Sequence, residues 1–553
     1  MKKLIYISLF LMMVTAAVSC DALKEEIVSD VTAENHFTTA GGFEDAVNAA
    51  YEPLRDFYGA EQGGNLTEYG TDLVQNAGHG GYHYMNQYDA GLNSEAWPME
   101  SIWNSYYVGI NTCNAAINRA SKLEGIDDAL KKRRLGEVHF LRAHYYFNLV
   151  QHFGAVHLTT EETEGVETEA NRTALPEIYQ QIVSDLEVAV NSLPPSQEEW
   201  GRATQPAAKM LLSQVLLTRG YQDYAESEDF SRSAALAESV IDDYSFSLLD
   251  DFEMIFDNDN EQNAEIIWAV QYGKDPLING PGNRSHLYYR PWYETYSNGL
   301  VRSLAPGYGR PWIRFKMTPF ALQNFRPIDQ DSRYDKSFQD TWYYNDASSI
   351  PEFPDAPNSN PAVGDTAIHI EPDMTQDEVR QQQEATSYYL ISWATSHTSD
   401  NINMFPSLIK HDDFQRPSVN EPAGNKDYIV YRLAEAYLFA AEAHFKMGNL
   451  QQAADHINAV RRRAAWPGHE SSMAITAGEV SLDFILNERG REFYGEQKRW
   501  ITLKRTGRLL ERVRNYAGLQ ESRDNIEEYH RLRPIPATQL NRTSGTYEQN
   551  PGY

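Results

Sequence analysis

The chain has 553 residues, with 78 acidic side chains against 48 lysines and arginines and a formal charge of −30. That excess argues against phosphate-tracking and nucleic-acid partners, unless Arg290, Arg302, Arg310 and Arg314 gather into one basic site, and makes a neutral ligand the default. Two cysteines, Cys20 and Cys113, exclude a disulfide framework and argue against a thiolate metal site, while 34 tyrosines and 10 tryptophans, many in Gly- and Asn-rich stretches, suggest aromatics on the surface.

Lys2 and Lys3 precede an apolar run from Leu4 to Val18 that ends at Ser19-Cys20. The run has the layout of a secretory signal and is too short to span a bilayer comfortably. It resembles bacterial lipoprotein signals, which implies removal of residues 1–19, acylation of Cys20 and a membrane tie through lipid alone. Cys113 would then stand alone, and losing Lys2 and Lys3 would take the formal charge from −30 to −32. Residues 20–36 read as a tether, and Lys24-Glu25-Glu26 within it resembles the surface-export signal of Bacteroidetes lipoproteins, although a plain hydrophilic linker fits equally.

Residues 37–58 read as a helix, with Phe43, Val47, Ala50 and Leu54 on one face. Residues 59–96, rich in glycine and tyrosine, have loop composition. Helical periodicity returns over 102–120 and 129–153, joined by Gly125-Ile126-Asp127, then over 175–193, 204–221 and 231–243. Asn263–Val270 reads as a strand. From 271 to about 425 the chain turns irregular, and a structureless loop of that length is improbable, so this stretch reads as a folded insertion with short helices and strands. Helices resume over 428–447, capped by Gly448-Asn449, and over 450–465, 482–494 and 498–514. The alanine-rich pair around Gly448-Asn449 resembles a tetratricopeptide repeat, where small residues let paired helices approach. The expected fold class is all-α, mainly helical: a tetratricopeptide-like scaffold over about 37–58, 102–243 and 426–514, with ligand-binding loops and the insertion over about 59–100 and 271–425.

Four blocks carry a more specific resemblance. They are Trp103-Asn104-Ser105-Tyr106-Tyr107 through Asn114, Glu137 through Phe147, Tyr431 through Tyr437, and Asn487 through Phe493 continuing to Arg499-Trp500. With Pro534-Ile535-Pro536 and Gln549-Asn550-Pro551-Gly552-Tyr553, they resemble the SusD/RagB family of outer-membrane glycan-binding lipoproteins, in family order and across nearly the whole chain after residue 19. The resemblance implies helix pairs as a scaffold, a variable ligand region, and a SusC-like TonB-dependent transporter as partner, with the lipoprotein exposed on the outer membrane as its lid. Members bind glycan and do not cleave it. Arg142, Glu435, Glu442, Arg489, Glu492 and Arg499 in these blocks read as ion pairs of packed helices rather than catalytic groups.

A sugar face needs exposed Trp or Tyr with polar side chains beside it. Two stretches have this makeup, the same two where the family commonly carries its ligand face. Asp72, Tyr82, His83, Tyr84, Tyr88 and Trp97 are the candidates in one, and Tyr289, Trp292, Tyr293 and Trp312 in the other. Trp97 and Trp292 lead because their neighbours break the helical pattern, and Trp342-Tyr343-Tyr344 is a weaker third candidate. No catalytic, metal or cofactor site is expected: His79 and His83 lack a set second shell, and no Gly-x-Ser-x-Gly elbow, Walker loop or His-Glu-x-x-His is present. A peptide-capturing lipoprotein on the same scaffold and an all-helical glycoside hydrolase, which needs only two placed carboxylates, are the alternatives.

Overall fold

The computed structural model describes residues 39–553 apart from 79, 164 and 397–403. The signal, Cys20, the tether and His79 therefore lie outside the described residues. The scaffold begins with α1 (Ala40–Ala49), capped by the Thr39 hydroxyl. It continues through α2 (Trp97–Arg119), α3 (Asp128–Phe153), α4 (Leu175–Ser192), α5 (Gln205–Arg219) and α6 (Asp229–Asp242). After a long excursion it resumes with α7 (Leu433–Met447), α8 (Leu450–Ala464), α9 (Leu482–Glu492), α10 (Arg499–Arg505) and α11 (Leu509–Tyr516). From α2 to α8 each helix packs against the next, so the array is a stack of antiparallel helix pairs, as in tetratricopeptide repeats. α6 packs directly on α7, although nearly two hundred residues separate them in sequence. No described helix is long and apolar enough to cross a membrane.

Local chemistry accounts for the element ends. Pro98 sits in the first turn of α2, where its missing N–H costs no hydrogen bond, so α2 starts at Trp97, earlier than the pattern predicts. The Asp127 carboxylate caps α3 by accepting from Leu130 N–H at 2.9 Å. Gly448, at φ +80°, ends α7 in the left-handed conformation that only glycine adopts cheaply, and α8 folds back at once. Ala434, Ala441, Ala453 and Ala454 are all fully buried in this hairpin, which lets the two backbones approach. The single helix expected over 498–514 is two, because Gly507 takes φ +71° between α10 and α11.

The excursion is pinched at its base. β2 (Ile266–Val270), the predicted strand, pairs antiparallel with β9 (Tyr428–Arg432), which leads straight into α7. Between them lie short strands. β3 (Phe315–Met317) pairs outside the insertion with β1 (Val74–Asn76), while β4 (Phe338–Gln339) pairs with β8 (Ser407–Leu408). β5 (Thr341–Tyr343), β6 (Thr366–Glu371) and β7 (Tyr389–Ser392) make a small mixed sheet.

The stretch before α2 is more ordered than its glycine content implies. It holds a helix at Glu61–Thr67, the strand β1 and one helical turn at His83–Gln87. Here glycine serves packing. A Cβ at Gly63 would lie 2.0 Å from the Phe57 carbonyl, and one at Gly64 would lie 2.7 Å from the Phe315 ring. The aromatic surplus is also spent mainly inside: Trp103, Trp268, Trp342, Trp500, Tyr69, Tyr106, Tyr145 and Tyr146 are fully buried.

Candidate functional site

β1 and β3 bring the two aromatic-rich stretches together. Val74 pairs with Met317 and Asn76 with Phe315, and Ala77 N–H extends the ladder by donating to the Arg314 carbonyl at 2.9 Å. Trp292, half-buried, packs on Ala77, Ile313 and Phe405 at this end of the ladder. The Arg314 guanidinium lies 5.3 Å from the centre of the Trp312 ring, and its Nε stands 2.7 Å from Glu61 Oε1. Gly80 passes across that arginine, since a Cβ there would sit 3.0 Å from Arg314 Cδ. Two residues further, Tyr82 stacks against Trp97, with ring centres 6.2 Å apart and planes at 18°, and meets Tyr84 edge-on at 6.2 Å.

Trp97 is 48% exposed, the largest aromatic of this group presented to solvent, and its place as the first residue of α2 projects it beyond the helix body. Burial, with Glu61 adding to it, raises the Tyr82 phenol, and burial pushes Tyr84 up to about 12. Both phenols stay protonated at neutral pH and can donate to a sugar oxygen. Burial raises the Glu61 carboxyl while Arg314 opposes it. The face thus combines an exposed indole, two phenols and a guanidinium–carboxylate pair.

Four of the sequence candidates are elsewhere. Asp72 is buried and accepts from Arg499 at 2.7 and 2.6 Å and from Arg512 at 2.8 Å, two cations that draw the carboxylate inward. Burial would raise its pKa, yet Arg499 and Arg512 outweigh that and hold it below the ordinary value. Tyr88 turns inward with φ +54° and donates to the Gly70 carbonyl at 2.7 Å. Tyr289 is buried against Phe315 and His411, and Tyr293 is buried against Trp342, with its hydroxyl donating to the Tyr308 carbonyl. His83 is half-buried and belongs to no group of three metal-ligating side chains among the described residues. In the third candidate, Trp342 and Tyr344 are core while Tyr343 is exposed.

The four arginines do not pool. Arg290 pairs with Asp412, Arg302 with Glu294 and Arg314 with Glu61, while Arg310 donates to the Asn420 carbonyl. Glu61 was hidden from sequence reasoning because it opens a helix whose two glycines mimic a loop. The scaffold charges behave as expected of packed helices: Arg142 pairs with Asp185, Arg489 with Glu435, and Arg505 with Glu442. Two cavities, of about 500 and 420 Å³, are lined by Lys410, Asp412 and Phe414 and by Tyr51, Arg55 and Arg202 respectively, and neither includes Trp97 or Tyr82. At the aromatic face, the Trp97 indole is open to solvent.

Residues 264–553 match the profile of the SusD family, and residues 29–217 match one described as starch-binding and associating with the outer membrane. The chain belongs to the SusD family. Among SusD relatives, the SusD-like protein P2 of Formosa agariphila is 25% identical, with both chains covered in full. The starch-binding protein SusD of Bacteroides thetaiotaomicron is 25% identical over 444 residues, covering 78% of this chain and 74% of that one. Among solved SusD-like folds, a laminarin-binding SusD-like protein superposes with a TM-score of 0.68 at 23% identity, covering 93% of this chain and all of the other. As in its relatives' shared architecture, this chain is mainly helical, with tetratricopeptide-like helix pairs.

Proposed function

We propose that this protein is a cell-surface lipoprotein that captures oligo- or polysaccharide on the Trp97 face and hands it to a SusC-like TonB-dependent transporter in the outer membrane. The observation that carries this reading is the exposed Trp97 stacked on Tyr82, beside Tyr84 and the Arg314–Glu61 pair. An indole of this kind offers an apolar plane to the C–H face of a sugar ring, and the phenols and the ion pair offer partners to its hydroxyls. Starch-binding and laminarin-binding relatives support the ligand class. The lipoprotein-like start of the chain supports attachment through Cys20. An indole open to solvent can be reached by a polymer whose chain continues past the site.

Hydrolysis would need two carboxylates flanking the bound bond. Glu61 is tied to Arg314, and Asp72 is sealed in the interior by two arginines, so neither is free to work as acid or base. Affinity electrophoresis against a panel of polysaccharides, with reducing-sugar release followed in parallel, tests the proposal. Retardation by one glycan class without sugar release is expected. Trp97→Ala should weaken that binding by about 1 to 3 kcal/mol, the worth of one stacking platform. Equal retardation of the parent protein and the variant would remove Trp97 from the site.

A further inference from the structure

The helical scaffold holds a group of side chains with its own geometry. Glu238 on α6, His444 in the last turn of α7 and His456 on α8 converge, with one ligand atom from each within 4.8 Å of the others. His444 Nε2 is 2.7 Å from Glu238 Oε1, and His456 Nε2 is 3.1 Å from the same oxygen. The two imidazoles lie face to face, ring centres 5.6 Å apart and planes at 13°. That pairing follows from the tight turn at Gly448, which folds α8 back along α7 and sets position 456 opposite position 444.

We propose that Glu238, His444 and His456 form a binding site for a divalent transition-metal ion of the zinc class, which clamps α6 to the α7–α8 hairpin. The donor set, two imidazoles and one carboxylate, is one that zinc accepts, with the remaining position left to water. Zinc holds nitrogen and oxygen ligands at about 2.0 to 2.2 Å, which puts neighbouring donors of a tetrahedron roughly 3.3 Å apart. The observed 2.7 and 3.1 Å therefore need to widen by about 0.6 and 0.2 Å. Glu238 and His456 are partly exposed, so an ion can reach the site and keep a water on it.

The surroundings fit the chemistry. The side-chain amide of Asn449 lies 3.3 Å from His444 Nδ1. Turned so that its oxygen faces the ring, it accepts the Nδ1 proton and leaves Nε2 to the ion, the usual arrangement of a second partner behind a metal-bound histidine. The Tyr437 ring packs against His456 at 5.9 Å and limits its rotation. The location gives the site a purpose: α6 is the last scaffold helix before the insertion and α7 the first after it, so an ion here closes the break in the stack.

A hydrogen-bonded His–Glu–His group without metal is the competing account, and the glutamine variants separate the two. Glutamine at 444 or 456 can still donate to Glu238 but is a poor zinc ligand. The purified protein, stripped with a chelator, is titrated with zinc by equilibrium dialysis, and cobalt is added separately for its visible spectrum. One equivalent of zinc per chain is expected, with the intense absorption of four-coordinate cobalt and a zinc-dependent rise in the melting temperature. His444→Gln and His456→Gln should each bind at least about tenfold more weakly and lose that rise, while melting near the parent protein in chelator. No binding by the parent protein, or unchanged affinity in both variants, would overturn the proposal.

Discussion

Glu68 shows how far a single side chain can depart from what its residue type suggests. It caps the Glu61–Thr67 helix, is fully buried, and accepts from Lys498 N–H at 3.2 Å. Burial pushes its carboxyl from the ordinary 4.5 up to about 8, only partly offset by the backbone donors at 497 and 498. Because the folded value is raised, the contribution to stability is whole below 4.5, shrinks as the pH climbs, and is gone above about 8. Glu68→Gln removes this dependence. Thermal melts from pH 4.5 to 8 should therefore show the variant gaining on the parent protein across the window and holding a constant lead beyond it. A difference independent of pH would mean that Glu68 stays ionised in the folded state. Asp72, four residues on, shows the opposite outcome for a buried acid, ionised between Arg499 and Arg512. Nothing in the local sequence distinguishes the two, since the arginines that decide it lie more than four hundred residues away. The exposure of Trp97 was legible because its cause is local: the chain is extended at Ala96, and Pro98 marks the first helical turn.

Among the elements, the base of the insertion has the densest chemistry. Arg432, the last residue of β9, is fully buried and reaches Glu265 beside β2, Glu492 at the end of α9, and Glu496. Arg463 shares Glu265 and Glu492, Lys410 shares Glu496, and Arg333 from the insertion pairs with Glu488 and Glu492. One network thus ties the exit strand, the return strand, α8, α9 and the insertion. Replacing one cation strands carboxylates in a dry interior, so Arg432→Met should cost about 3 to 5 kcal/mol in urea denaturation. A shift within error would show that the neighbouring cations absorb the loss. The cations hold Glu492 and Glu496 down to about 2 against the burial that would raise them. Their folded values are depressed, so this stabilisation is present above the ordinary 4.5 and disappears as the pH falls through about 2. Scaffold helices were readable from periodicity because each buries one face against a sequential neighbour. The Glu61–Thr67 helix was not, because its packing partner, Phe315, comes from the insertion and demands glycine in place of a hydrophobic residue.

For the molecule as a whole, the candidate site is a seam, with one side from the loops before α2 and the other from the insertion, joined by the β1–β3 pair. The expected preference for a neutral glycan rests on charge at two ranges. Locally, Arg314 is matched by Glu61, and the three other arginines that could have made the face basic are spent on Asp412, Glu294 and a backbone carbonyl. Globally, the chain carries −30, a field that repels polyanions and that physiological salt screens beyond about 8 Å. Stacking on an indole is indifferent to salt, whereas capture of a carboxylated or sulfated polymer would require counterion release and weaken as salt rises. Affinity gels run at low and high ionic strength separate these cases. Neutral polysaccharides are expected to retard the protein equally in both, and acidic ones to leave its mobility unchanged even at low salt. Retardation by an acidic polysaccharide that fades on adding salt would mean that the arginines are released from their partners on binding, and would move the recognition chemistry from the Trp97–Tyr82 stack to those ion pairs.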